Sequence, residues 1–188
     1  MRMLLTIIMM GLCVQMQAQS IAEVTEGAPE REDYRFEVSF GEDAEGYIGR
    51  VFVKGYTRLE DSPLVEYEHE LVERLAEVPC PAEAANWVDD KTDINFDGMP
   101  DLLIYLGRNC VGRIEEFYSA YVWDDENKRF ALVPGFDEIG NPVFHPDNKT
   151  ITSTVRTDAA EKTTWTHVWD GWQLEIIHEE ISNLFCDE

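Results

Sequence analysis

The sequence predicts an all-β fold, compact and antiparallel, propeller-like or sandwich-like, with about eight strands and at most one short helix. Three observations carry this. Apolar and polar residues alternate with a period of two in several short runs. Those runs recur at the spacing of strands, with turn residues between them. Near the end, an Asp170-Gly171 pair sits between two β-favouring runs, the strongest short-range hairpin signal.

The elements follow in order. Tyr34, Phe36, Val38 and Phe40 alternate with Arg35, Glu37 and Ser39, which is one apolar strand face. Gly41 to Gly46 is a turn, and Tyr47 to Lys54 returns as a second strand. Leu64 to Val78 satisfies both periods: Leu64, Leu71, Val72, Leu75 and Val78 fit a helical face, while Val65, Tyr67, His69 and Leu71 fit a strand. The assignment stays open, with an extended start favoured, and Pro79 and Pro81 stop either element. Leu102 to Leu106 is a short apolar run. Phe117 to Trp123 is aromatic and β-favouring, Asp124 to Lys128 is a loop, and Arg129 to Val133 returns. Thr150 to Val155 is a further strand. A loop at Asp170-Gly171 pairs Trp169 with Trp172, His167 with Leu174 and Trp165 with Ile176, which puts all six on one face and makes core of the tryptophans. Trp87, in a polar stretch, is the tryptophan expected to be exposed.

The chain has 188 residues, a length for one domain, and 15 Lys+Arg against 38 Asp+Glu, a net charge of −23. That balance excludes nonspecific nucleic-acid binding, which needs cations to neutralise phosphates. It also excludes docking on an anionic membrane surface. With 44% hydrophobic and 11% aromatic residues, the chain still has enough apolar material for a packed core. Residues 1–18 read as a signal peptide: Arg2, an apolar Met3 to Val14 run too short to span a bilayer, and Ala18 before the cleavage point. Residues 19–33 read as a flexible acidic leader and 34–188 as a single β-rich domain. Removing residues 1–18 takes one Arg and no acid from −23, leaving −24. The expected compartment is the bacterial periplasm or the medium, with no transmembrane segment after signal removal. Of the remaining cysteines, Cys80 and Cys110 are the more natural pair and Cys186 the odd one, although sequence alone leaves the pairing open.

One segment carries chemistry: Asp93-Ile-Asn95-Phe-Asp97-Gly98-Met99-Pro-Asp101. Side-chain oxygens fall at loop positions 1, 3, 5 and 9. Met99, at position 7, offers its backbone carbonyl. Gly98, at position 6, permits the sharp turn. Calcium takes six to eight oxygens, and alternate residues of a curled loop can aim at one point. The all-oxygen set disfavours zinc and copper. Position 12, where an EF-hand places a bidentate Glu, is Ile104, and the residues after the loop read as a strand. The expected metal ligands are therefore Asp93, Asn95, Asp97, Met99 and Asp101, with Ca2+ as the cofactor, in a loop-then-strand site.

With this loop, the strand that ends in Trp123, the Asn141-Pro142 region, the Ile151-Thr152-Ser153 strand and the closing Trp169 hairpin, the chain resembles the FG-GAP/VCBS-like periplasmic proteins. More narrowly, it is similar to a calcium-binding immunity family that protects bacteria from peptidoglycan-cleaving toxins. The similarity runs over roughly Tyr34 to Glu180. It implies a compact β-propeller-like fold, related in shape to periplasmic lysozyme inhibitors, and a basic peptidoglycan hydrolase as partner. Those inhibitors carry a Ser-Gly loop. This chain has no Ser-Gly dipeptide, so the resemblance does not extend to that loop.

No enzymatic constellation stands out. His69, His145, His167 and His178 lack metal-ligand spacing, and there is no nucleophile elbow, phosphate-cradling loop or Cys–His signature. The expectation is an exported binding protein and not an enzyme. The alternatives are a cell-surface structural or adhesive module and a carbohydrate-binding protein.

Overall fold

The computed structural model describes residues 30–57, 62–109 and 115–183. Residues 1–18, most of the acidic leader, and Cys110 and Cys186 lie outside them. Cys80 is exposed and has no cysteine partner among the described residues.

The fold is all-β, in three antiparallel sheets. The first sheet contains β1 (Tyr34–Glu42), β2 (Ile48–Thr57) and β3 (Val65–Leu75), in that order. The region that satisfied both periods is therefore a strand. Val65, Tyr67, His69 and Leu71 turn inward while Glu66, Glu68 and Glu70 stay exposed, so alternation outweighs the helical spacing. The chain then makes a one-turn helix, α1 (Pro81–Ala84), with Pro81 at its first position, where a missing N–H costs nothing.

The second sheet, in order, is β4 (Val88–Asp89), β5 (Leu102–Asn109), β6 (Glu115–Asp124) and β7 (Arg129–Leu132). The third runs β11-β10-β9-β8, with β8 (Val143–His145), β9 (Thr150–Arg156), β10 (Glu161–Asp170) and β11 (Gln173–Asn183). The middle sheet has apolar side chains on both faces. Leu102, Ile104, Leu106, Tyr121 and Trp123 enter one core with Val51 and Val53 of the first sheet. Leu103, Ala120 and Val122 enter another with Ile151 of the third. Two-sided burial explains why Leu102 to Leu106 is a continuous apolar run and not an alternating one.

Three expectations are corrected. Trp87 is 7% exposed, because the turn after α1 aims it into the first core, edge-on to Phe40 and Tyr105. Arg31–Asp33, at the end of the expected flexible leader, form a 3-10 turn with Arg31 buried. The last hairpin is shifted by two residues: Trp169 pairs with Leu174, His167 with Ile176 and Asp170 with Gln173, leaving Gly171-Trp172 as the loop. Gly171 takes φ +60° at the first loop position, where a II′ turn needs glycine. A shift of two preserves faces, so Trp165, His167, Trp169, Leu174 and Ile176 still share one. Trp172 leaves that face for the turn and is 55% exposed.

Candidate functional site

The loop between β4 and β5 is fixed at its base before any ion is considered. The Asp89 carboxylate accepts the N–H of Lys91 (2.8 Å) and of Thr92 (3.2 Å) and the Thr92 hydroxyl (2.6 Å). Asp101 N–H then donates to the Thr92 carbonyl (2.9 Å), closing the loop. Within it, Ile94 and Phe96 point into the second core, which leaves Asp93, Asn95 and Asp97 at the less buried positions between them. Trp169 Nε1 donates to the Ile94 carbonyl (2.9 Å) and Lys149 Nζ to the Phe96 carbonyl (3.2 Å), so β10 and the turn before β9 hold the loop as well.

The turn brings three of the expected ligands together. Asp93 accepts from Asp97 N–H (3.1 Å) and Gly98 N–H (2.8 Å). Asn95 Oδ1 accepts from Asp97 N–H (3.1 Å), and its Nδ2 donates to Asp97 Oδ2 (2.8 Å). Asp97 Oδ1 accepts from Met99 N–H (2.7 Å). Gly98 sits at φ +95° and Phe96 at φ +61°, the left-handed conformations that curl the chain. An ionised carboxylate has about four lone-pair sites. These amide bonds therefore orient the oxygens while leaving acceptor capacity outward, and the donor chemistry fits a hard cation. Among the described residues, no three acidic, histidine or cysteine side chains converge as a preassembled metal cluster. Asp97 and Asn95 open onto a cavity of about 240 Å³ bordered by Asp124, Asp125, Trp169 and Trp172.

Asp101 sits differently. It is fully buried. Its Oδ2 accepts from Ile94 N–H (2.7 Å) and, longer, Asn95 N–H (3.4 Å), and its Oδ1 from Trp123 N–H (2.8 Å). It thus ties the loop to β6. Burial pushes its carboxyl up to about 6 from 3.8, and the amides of Trp123 and Ile94 draw it back only in part. The folded chain then holds a proton that the unfolded chain has released between those two values. The contribution of Asp101 to stability should fall by about 3 kcal/mol as pH rises from about 4 to about 6. The carboxyl 13C shift of Asp101, followed in EDTA, should titrate near the upper value. A midpoint below 4 would show that the amides outweigh burial.

Arg31 is the residue of the site that sequence reasoning missed. Its Nε donates to the Pro100 carbonyl (2.9 Å), and its Nη2 to the carbonyls of Asp90 and, at 3.3 Å, Asp101. The guanidinium lies 5.0 Å from the Phe130 ring centre. It clasps both ends of the loop from 59 to 70 positions away, and nothing local in an acid-rich stretch signals such a contact. Replacing Arg31 with alanine should cost about 2–3 kcal/mol in urea unfolding, because charge-assisted bonds in a buried site are lost. A cost under about 0.5 kcal/mol would make the clasp incidental.

Three of the four histidines make side-chain hydrogen bonds with strand residues, and His178 is exposed. His167 is buried and hydrogen-bonds through Nε2 with Ser153 Oγ (3.0 Å), and His69 Nε2 bonds with the Tyr121 hydroxyl (2.9 Å). Burial lowers the pKa of both. His145 bonds with Thr152 (2.9 Å).

Against known proteins, no family model matches the chain. No curated protein matches it either. A solved structure does: that of a Xanthomonas type IV secretion system related protein, with a TM-score of 0.53 and 18% identity over 82% of this chain and 80% of that one. The likeness is one of fold. Among the described residues, no helix is long and apolar enough to cross a membrane.

Proposed function

We propose that this protein is an exported, calcium-stabilised binding protein that acts by holding another protein. The observation that carries the reading is the Asp93–Asp101 loop. Asp93, Asn95 and Asp97 are gathered on one turn, where Asp93 and Asn95 both accept from the Asp97 amide, and Asp101, Lys149 and Trp169 anchor that turn. Asp93, Asn95 and Asp97, with the Met99 carbonyl, would hold the ion, while Asp101, buried and accepting three backbone amides, ties the turn to β6 behind them. Calcium would offset the two negative charges of Asp93 and Asp97 and fix the loop against β6.

The resemblance to the immunity family supplies the partner class, a basic peptidoglycan-cleaving enzyme, and makes this an immunity protein or inhibitor. A net charge of −23 favours fast encounter with a basic enzyme. The fold shared with a type IV secretion system related protein is compatible with work in the periplasm or outside the cell. The mature protein, mixed at equal concentration with a panel of basic muramidases, should slow peptidoglycan clearing by at least one of them, less so as salt rises. Peptidoglycan binding by the protein itself, with every muramidase unaffected, would replace this reading with the adhesive or carbohydrate-binding one.

A further inference from the structure

The third sheet ends in a strand that nothing described covers. Among the described residues β11 pairs only with β10, so from Gln173 to Ser182 its other edge presents a row of backbone donors and acceptors. At the usual rise that is about 33 Å of edge. Natural edges are normally short, or blunted by lysine or proline. This one is long and carries exposed Ile176 (58%), Ile177 (59%) and Ile181 (59%). Ile177 is the extra residue of a bulge opposite Thr166 and His167. Ile176 lies on the face of Trp165 and His167, where a pocket of about 350 Å³ opens between Leu174, Ile176 and the Pro134–Ile139 segment.

The charge on this hairpin is one-sided. Glu161, Asp170, Glu175, Glu179 and Glu180 stand against Lys162 alone. Among the described residues, none of those five carboxylates is in an ion pair. Glutamates keep a second copy away, because self-pairing would bring each strand's Glu175, Glu179 and Glu180 onto one ladder. They do not account for the isoleucines.

We propose that β11 is a docking edge for an extended, basic segment of a partner protein, in which Lys or Arg alternates with apolar residues. The segment adds as a further strand. Its backbone completes the β11 edge, its basic side chains meet Glu175 and Glu180 on one face of the sheet, and one apolar side chain on the other face enters the pocket beside Leu174 and Ile176, where Glu179 is held by Trp165. This rests on the reading of the protein as a binder and needs no calcium.

The test uses the full mature chain and three short synthetic peptides: alternating lysine and valine, alternating glutamate and valine, and a lysine peptide of the same charge with proline in place of valine. The first should bind at least roughly tenfold tighter than either other, in calcium and in EDTA alike, and should slow amide exchange along β11. The double variant Glu175→Lys/Glu180→Lys, on a surface remote from both cores, should reverse the preference between the first two. Equal binding of the lysine peptides would reduce the effect to general attraction and overturn the proposal. Unchanged exchange at β11 would overturn it too, as would sedimentation as a dimer with β11 protected. Since EDTA leaves the expected result untouched, failure here and failure of the calcium reading are distinguishable.

Discussion

Asp101→Ala should lower the unfolding free energy by about 4 kcal/mol, a large share of the total for a domain of this size. The reason is local. The carboxylate is the acceptor for Ile94, Asn95 and Trp123 amides, and it is fully buried. Each amide left without a partner costs about 1–3 kcal/mol, moderated where water can enter. Asp101→Asn should recover less than half of the loss. It restores one oxygen, but its NH2 faces backbone N–H groups that need an acceptor. Urea unfolding followed by tryptophan fluorescence reads both variants against the native chain. A loss below about 1 kcal/mol for the alanine variant would mean that the loop is held to β6 by packing of Ile94 and Phe96 alone.

This also marks where the sequence stopped being informative. Spacing identified Asp93, Asn95, Asp97 and Asp101 as one set, and the first three do share a turn. Spacing could not distinguish their depths. Whether position 9 faces the loop mouth or the protein interior depends on Trp123 of β6, which is 22 positions away. Arg31 was illegible for the same reason, since its partners are carbonyls far along the chain.

The strands were legible wherever one face is buried. β1, β2 and β9 follow their alternation closely, whereas β6, buried on both faces from Ser119 to Asp124, is marked by its aromatic, β-favouring composition instead. β4 and β8, of two and three residues, are too short to show a period. In the last hairpin the face assignment survived while the turn did not. Asp-Gly favours a turn centred on itself, but the glycine takes the first central position and Trp172 the second, which moves the register by two. Trp172 and Ile176 therefore end exposed although their pattern reads as core. The expectation that hydrophobic residues lie inside fails at an unpaired edge, where no further strand supplies the other wall.

The second large effect concerns the ion. If Asp93, Asn95 and Asp97 hold calcium in the folded state only, binding adds stability by mass action, about 2.7 kcal/mol when free calcium is a hundred times Kd. For a chain of this length that corresponds to a rise in Tm of roughly 5–10 °C. Magnesium should do far less, because it keeps its waters and demands a tighter octahedron. Asp97→Ala removes a carboxylate from an exposed position, so in EDTA the variant should melt within about 2 °C of the native chain.

The central claim is that this loop is a calcium site, and calorimetric melting tests it most directly, run on the native chain and Asp97→Ala, each in calcium and in EDTA. The account predicts a rise of several degrees with calcium for the native chain and none for Asp97→Ala. Identical melting of the native chain in calcium and in EDTA would contradict it.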